Sequence, residues 1–434
     1  MVRRIQIAAF LTMVVGLQAL GQVENRQPAY LAKPAFYVDA LCFAAGDTLS
    51  SRLDLYIQVP YEALRFLKEM NGFVSKYEVT VDILDSGQDL LQEKTLNEEI
   101  REEKFDQTIS ERGFNLTQSH FELSPGKYSL VVQVQDKDSD KVFRIEKDIF
   151  VPTFSHRTLS ISDIMLVGHI SVEGEKKIIQ PIVSGNVGNL SEDFNLFFEV
   201  YNGTDLRQIE ITYRIFNSKK QAIVTKAEVQ PLEAGPNQFF IPVDRSGLPL
   251  GNYVLSVQTR PPEDSLATDE YKSLIAVSTR WLQVHWAGMP TTINDLSLAI
   301  DQLVYLAKDW ELDDIKETSA EKERMERFRE FWKRYDPSPN SERNERMEEY
   351  YGRVEYANQN FSHYIDGWKT DMGMVFIILG SPNNVDRHPF EVDSKPYEVW
   401  SYYDINRQFV FVDETGFGDY RLVTPFWDLW NNRR

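Results

Sequence analysis

One pattern occurs twice in this chain and limits what most of it can fold into. Leu123, Gly126, Tyr128, Leu130, Val132 and Gln133 recur as Leu248, Gly251, Tyr253, Leu255, Val257 and Gln258, at a constant offset of 125. Within G-x-Y-x-L-x-V the apolar residues alternate, which is the period of a strand with one buried face. Upstream, YEVTVDILDSG (77–87) is matched by IEITYRIFNSK (209–219), and LDLYIQV (53–59) by LFFEVYN (196–202). Similar strands in the same order, spaced at domain length, read as a duplicated β-domain.

The glycine allows a tight entry turn, the tyrosine can bury its ring and bond its hydroxyl to upstream backbone, and the aliphatics fill a core. This resembles the tyrosine corner of immunoglobulin-like and fibronectin-like sandwiches. The expectation is therefore two all-β sandwiches, 28–152 and 153–283. In the first, RLDLYIQV (52–59), KYEVTVDILD (76–85), GKYSLVVQVQD (126–136) and KVFRIEKDIFV (141–151) read as strands, and DKDSD (136–140) as a hairpin turn. The polar stretch Gln88–Glu111 reads as a long loop or an exposed strand pair. The only cysteine, Cys42, alternates with apolar residues in FYVDALCFAAG, so it reads as a buried strand residue rather than a nucleophile.

The chain starts MVRRIQIAAFLTMVVGLQALG. Arg3 and Arg4 precede a short apolar run from Ile5 to Leu17, and Ala19 and Gly21 supply small residues for cleavage, so 1–21 is expected to be a signal peptide that is removed. Gln22 stands where a lipoprotein would need cysteine. The expected location is exported, periplasmic or secreted, with no membrane span left after cleavage. A single cysteine cannot close an intrachain disulfide, so stability must come from the cores. With 47 Lys+Arg against 66 Asp+Glu, the formal charge of −19 argues against a nucleic-acid partner.

The last third differs. All eight tryptophans lie at or after Trp281, and the boundary is expected near Gly288–Thr292. Leu296, Ala299, Ile300, Leu303, Val304 and Ala307 share one helical face. A second helix is expected over about 313–335, with Met325, Phe328, Phe331, Trp332 and Tyr335 inward and a solvated charged face. Asp336-Pro337 ends it. A third helix, capped by Asn340 or Ser341, aligns Met347, Tyr350, Tyr351, Val354, Ala357 and Phe361. The period then shortens to two: MVFIILG (374–380), YEVWSYY (397–403), RQFVFVDE (407–414) and DYRLVT (419–424) read as strands, with ETGFGD (414–419) as a hairpin turn. Helices followed by a small antiparallel sheet make an α+β unit over 290–434.

Within that unit the segments FWKRYDPSP (331–339), NERMEEYYGRVEYAN (344–358), GWKTDMGMVFIILGSPNNV (367–385), RHPFEVDSKPYEVWSYY (387–403) and FVFVDETGFGDYRLV (409–423) follow one another. This run closely resembles the GWxTD domain, a bacterial C-terminal domain named for the pentapeptide that stands here as Gly367-Trp368-Lys369-Thr370-Asp371. The resemblance implies an exported bacterial protein with β-rich N-terminal regions. It implies no activity and brings no catalytic residues with it.

No H-E-x-x-H, G-x-S-x-G or Walker loop occurs, and the six histidines show no metal-ligand spacing. No cofactor or metal is expected. The densest polar group comprises Asp366, Thr370, Asp371, Arg387, His388, Glu391, Asp393, Lys395, Asp413, Glu414, Asp419 and Arg421. A hydrolase would place Asp371, His388 and Asp413 in one cleft. The plainer expectation is that these groups cap turns and pair with one another, Thr370 and Asp371 bonding backbone where the chain enters Met374–Leu379 and Trp368 lying buried. The aromatics at 397, 400, 402 and 403 could form a glycan- or peptide-stacking face, or pack in the sheet. The leading functional expectation is a non-enzymatic cell-envelope interaction or scaffold protein whose partners are other envelope proteins, with its oligomeric state left open.

Overall fold

The computed structural model describes residues 35–424 apart from 47–48, 111–112, 140, 155–157, 174–175, 189, 191–192, 246–247, 263–273, 286–294, 319, 340–343 and 390–393. The expected signal peptide, the boundary at Gly288–Thr292, Asn340, Ser341, Glu391 and Asp393 lie outside the described residues.

The first region contains β1 (Tyr37–Ala44), β2 (Ser51–Pro60), β3 (Leu67–Glu69), β4 (Gly72–Leu84) and β5 (Leu90–Glu102). A helical turn α1 (Phe105–Thr108) leads to β6 (Phe114–Leu123), β7 (Gly126–Asp136) and β8 (Val142–Val151). All pairings are antiparallel. One sheet runs β1-β2-β6 and the other β5-β4-β7-β8, with the short β3 also on β4. Alternation decides what faces inward. Leu53, Leu55, Ile57 and Val59 of β2 share one core with Tyr77, Val79, Val81 and Ile83 of β4 and with Leu130, Val132 and Val134 of β7. Each such side chain contributes about 1.5–3 kcal/mol by leaving water. The stretch 88–111 holds a single exposed strand, β5, whose charged residues suit a sheet edge.

The second region contains β9 (Leu159–Ile161), β10 (Met165–Glu173), β11 (Lys176–Pro181), β12 (Phe194–Asn202) and β13 (Gln208–Phe216). It continues with β14 (Ala222–Pro231), β15 (Gly235–Val243), β16 (Gly251–Arg260) and β17 (Ala276–Val284). Its sheets run β11-β10-β12-β15 and β14-β13-β16-β17, with β9 on β12. The order β10-β12-β15 repeats β1-β2-β6, and β14-β13-β16-β17 repeats β5-β4-β7-β8. Tyr128 and Tyr253 occupy the third position of β7 and β16, and each makes the same bond. The Tyr128 hydroxyl donates to Ser124 O at 2.8 Å, and that of Tyr253 to Pro249 O at 2.7 Å.

The two regions meet through outward faces. Leu41, Phe43 and Tyr56 pack against Met165, Val167, Val183 and Phe197. Backbone groups of Cys42 are tied to Asp163, whose Oδ2 accepts from Cys42 N at 2.7 Å while Asp163 N donates to Cys42 O at 3.1 Å. Cys42 itself is buried, and burial, followed by the neighbouring Asp163, pushes its thiol well above the ordinary range, which makes it a poor nucleophile. Arg280 occupies an inward position on β17, yet its guanidinium reaches out to Asp39 of β1. Nη2 lies 2.6 Å from Oδ2, Nη1 also donates to Ile164 O at 2.8 Å, and both side chains are only 11% exposed.

The last region contains α2 (Leu296–Gln302), α3 (Asp309–Glu317), α4 (Glu321–Arg334), α5 (Glu345–Phe361) and α6 (Asp371–Leu379). Then come β18 (Asn384–His388), β19 (Tyr397–Tyr402), β20 (Arg407–Asp413) and β21 (Tyr420–Leu422), paired antiparallel in that order. Three expectations are corrected. The helix placed at 313–335 is two helices, α3 ending at Glu317 and α4 starting at Glu321. The third helix takes its cap from Asn344, whose Oδ1 accepts from Met347 N at 2.9 Å. The segment expected as the strand 374–380 is α6. It is apolar all round because it is covered twice: Ile377 joins the helical core, while Met372, Val375, Phe376 and Ile378 pack with Trp400, Tyr402, Phe409 and Phe411 of the sheet. A short apolar run carries no period that separates a buried helix from a buried strand.

Removing Asp39 leaves the largely buried Arg280 charge with the Ile164 carbonyl in place of a carboxylate. Asp39→Ala is expected to cost about 3–5 kcal/mol in a urea melt, and Asp39→Ala with Arg280→Met to recover most of it. Equal losses in the single and double variants would show that the pair does not hold the junction.

Candidate functional site

The pentapeptide sits where α5, α6 and the sheet converge. Gly367–Lys369 forms one 3-10 turn. A Cβ on Gly367 would lie 1.9 Å from Ala357 O of α5, and one on Gly373 would lie 1.9 Å from Gly367 O. Only glycine permits these two backbone approaches. Gly367 N donates to Ser362 Oγ at 2.8 Å, and Trp368 N to Asn358 Oδ1 at 3.1 Å. The Trp368 ring, 8% exposed, joins the helical core and meets Tyr305 edge-on at 6.4 Å, while the Tyr305 hydroxyl donates to Trp368 O at 2.9 Å. Burial, with a smaller contribution from Asp371, pushes Tyr305 up to about 12.

Thr370 is the N-cap of α6: its Oγ1 accepts from Gly373 N at 3.0 Å and donates to Gly367 O at 2.8 Å. Asp371 Oδ2 accepts from Leu422 N of β21 at 2.8 Å. Both polar residues thus bond backbone, as a turn would require, but they do so at a helix start and across to the far strand of the sheet. Lys369, by contrast, faces outward. It pairs with Asp366 at 2.9 Å and lies over the Trp368 ring.

Asp413 is the clamp of the 414–419 hairpin. Oδ1 accepts from Thr415 N at 3.2 Å and Gly416 N at 2.9 Å, and Oδ2 accepts from Gly418 N at 2.8 Å. Burial alone would raise this carboxyl. The N–H groups of Gly418, Gly416 and Thr415 outweigh it and hold the group below the ordinary carboxylate range. His388 sits at the opposite edge of the sheet, stacked on Tyr397 with ring centroids 4.3 Å apart and with Nε2 3.1 Å from Asp386 Oδ2. The pairing His388–Tyr397–Val412–Arg421 crosses every strand of the sheet. Three strand intervals, about 14 Å, therefore separate His388 from the β21 backbone that Asp371 holds. Asp371, His388 and Asp413 are not brought into one cleft.

The other members of the polar group pair locally. Arg387 meets Glu398 at 3.0 Å, and Lys395 bonds Glu414. Asp419 accepts from the Tyr364 hydroxyl at 2.8 Å and from Arg421 Nε at 3.0 Å, with His363 Nε2 3.6 Å away. The Tyr364 hydroxyl, and after it Arg421, hold Asp419 below its ordinary range against the opposing effect of burial. Sequence reasoning missed His363 and Tyr364, because their only signal was that they precede the motif. The aromatic strand divides: Trp400 and Tyr402 are core, Tyr397 is partly covered by His388, and Tyr403 is exposed. A stacking platform on that strand is therefore not formed. Among the described residues no group of three or more His, Cys, Asp or Glu is placed to hold a metal ion.

Trp368→Ala is expected to cost about 3–5 kcal/mol by cavity formation, and Asp371→Asn less, since an amide oxygen can still accept from Leu422 N. A Trp368→Ala protein that melts like wild type would contradict an architectural motif. The Asp413 clamp carries a pH signature. Its folded-state pKa lies below the unfolded value of about 3.9, so its stabilisation is complete above that value and lost as pH falls through the folded pKa. Acid titration of Asp413→Asn should lack that loss; an acid limb identical to wild type would contradict it.

No curated protein matches the chain. Among solved structures, Bacteroides uniformis beta-glucuronidase is similar at 12% identity with a TM-score of 0.21, the match covering 54% of this chain and 27% of that one. Trypsin-activated alpha-2-macroglobulin from Escherichia coli is similar at 11% identity with a TM-score of 0.17, covering 58% of this chain and 17% of that one. The matched region is thus a small part of either protein, and overlap this low carries no argument about fold or function. The GWxTD domain profile matches residues 278–423, from within β17 to just past β21, and this C-terminal region of the chain is a GWxTD domain.

Proposed function

We propose that the chain is an exported bacterial cell-envelope protein that works as a non-enzymatic scaffold. Two fibronectin-like sandwiches, 28–152 and 153–283, carry the GWxTD unit, 290–434, at a fixed position. The observation that carries this reading is the junction between the β-regions. A scaffold must transmit position, and this junction combines an apolar face, the Cys42–Asp163 backbone tie and the Arg280–Asp39 pair. Relative motion there would expose apolar surface and separate a desolvated ion pair, which makes a rigid arrangement the favoured one. The two equivalent tyrosine bonds and the repeated strand order support a sandwich of the fibronectin-like kind.

The polar groups of the GWxTD domain point the same way. Thr370 Oγ1, Asp371 Oδ2 and both oxygens of Asp413 accept from backbone N–H groups. A carboxylate engaged in that way is poorly suited to move protons. Among the described residues no helix is long and apolar enough to cross a membrane. Export rests on the charged, apolar and small-residue order of 1–21.

Expression of the full chain in a bacterial host, followed by envelope fractionation, tests the location. The expected product is in the envelope or the medium and begins at Gln22. Protein that stays in the cytoplasm and begins at Met1 would overturn export. Crosslinking of the exported protein should then capture defined envelope proteins, and Asp39→Ala, which loosens the junction, should reduce that capture.

A further inference from the structure

The duplication supplies a control for the edge strand β14. At a constant offset of 132 its residues match those of β5. The turns that lead in are the same: Asp85 Oδ1 accepts from Gly87 N and Asp89 N, and Asn217 Oδ1 from Lys219 N and Gln221 N. Gln88 and Lys220 both take a positive φ, 68° and 60°. The pairing slips once in each copy, at Ile83/Leu84 and at Ile215/Phe216. Each strand is last in its sheet, where a row of N–H and C=O groups is open to pairing with another chain.

The two copies treat that edge differently. In the first, Lys94 bonds His120 O and Gln92 Nε2 donates to Glu122 O at 3.1 Å, which laces β5 to β6 of the facing sheet. Its solvent face carries Glu93, Thr95, Asn97 and Glu99. In the second, Val224 stands in place of Gln92, and the solvent face reads Thr225, Ala227, Val229 and Pro231. The carboxylates that guard β5 have no counterpart there. Thr225 to Val229 are exposed, and among the described residues the backbone of β14 bonds only to β13. The opposite edge of the same sheet, β17, is covered: Val187 N donates to Gln283 O and Gln283 N to Gly185 O, each at 2.9 Å.

Two charges remain on the other face of β14. Lys226, opposite Tyr213, meets that tyrosine's hydroxyl, and Glu228, opposite Ile211, accepts from Gln230 Nε2 at 3.1 Å. They stand two residues apart with Ala227 between them, which makes the strand complementary to itself. With Ala227 on a twofold axis, Lys226 faces the partner's Glu228 and Glu228 faces the partner's Lys226. A shift of two residues sets lysine against lysine or glutamate against glutamate. A shift of one turns the partner's core face over. The small Ala227 side chain lets the strands close on the axis. The turn lysines Lys219 and Lys220 then lie toward the partner's Glu233, again of opposite sign. Arg214, bonded to Gln258 at 3.1 Å, stands one strand back from the seam. We infer that β14 pairs antiparallel with β14 of a second copy in this register, joining two four-stranded sheets through an isologous contact. The reversed charge order across the seam is the complementarity that selects a second copy as the occupant. The contact is one strand pair, so the dimer is weak and reversible. The inference goes beyond the scaffold reading and needs neither export nor an envelope partner.

The experiment is sedimentation of the whole purified protein over a concentration series, with oxidative crosslinking of cysteine variants. The wild type is expected to pass from monomer to dimer in the micromolar range. Lys226→Glu and Glu228→Lys should each weaken the dimer about tenfold or more, and the two together should restore it. Ala227→Cys keeps both charges and reads the register directly. Cα atoms directly opposite across an antiparallel pair lie about 4.5–5.5 Å apart, within reach of a disulfide, so this variant should crosslink. Thr225→Cys should not, because its partner copy lies about 14 Å away. Thr95→Cys, at the equivalent of Ala227 in β5, should not either. Cys42 is buried and adds no crosslink of its own. A wild type that is still monomeric at about 200 µM would overturn the inference. So would charge reversals that leave the dimer unchanged, a double reversal no better than the single ones, or Thr95→Cys crosslinking as well as Ala227→Cys.

Discussion

A largely buried charge pair decides how the two β-regions sit together. Arg280 stands at an inward position of an edge strand, opposite Leu255, where the pattern of β17 calls for an apolar residue. Its guanidinium leaves the core only by reaching Asp39 and Ile164 O. Any arrangement that moved Asp39 away would leave a cation in a low-dielectric site, at a cost of several kcal/mol. The apolar contact around Phe43 and Phe197, 6.1 Å between ring centroids, adds area but little direction. The ion pair and the Cys42–Asp163 tie supply the direction.

That fixed junction gives the duplication its interest. Both regions keep the strand order, the Gly-x-Tyr entry and the hydroxyl bond four residues back. They differ on their outer faces, where selection for packing is weak. Asp148 in one copy and Trp281 in the other occupy the same place in the pairing.

The strands were legible because most are half-buried, so alternation is written directly into the residues: Leu53 to Val59 and Tyr253 to Val257 can be read by eye. Legibility failed where burial is not one-sided. Helix α6 is covered by α5 and by the sheet and shows no period. Strand β18 is short and largely polar, so it gives no apolar signal. The break between α3 and α4 lies in a charged stretch that could equally continue a helix. The Arg280–Asp39 pair joins residues 241 apart, and no local pattern encodes it. In the candidate site the turn-forming role of Thr370 and the burial of Trp368 followed from residue type. The separation of His388 from Asp371 required the strand order.

The GWxTD pentapeptide can be understood as a solution to one packing problem. A helix that ends at Phe361 must be followed, within ten residues, by a second helix that shares its core and also supports a sheet. Bringing the two backbones that close requires positions without a side chain, and Gly367 and Gly373 provide them. Close approach leaves backbone groups facing each other, and each needs a partner. Thr370 meets two of them, at Gly373 N and Gly367 O, while Ser362 and Asn358 take the amides of Gly367 and Trp368. Trp368 then fills the wedge between helices that small residues would leave open, and Asp371 extends the arrangement to the last strand through Leu422 N. The far end of α6 is closed in the same way. Arg353 donates to Ile377 O at 3.1 Å, and the Tyr402 hydroxyl donates to Gly380 O at 2.8 Å. Lys369, the variable position in the motif's name, is the residue of the five that faces outward, paired with Asp366. The named positions therefore coincide with steric and hydrogen-bonding requirements of the turn, and the unnamed one with its exposed side.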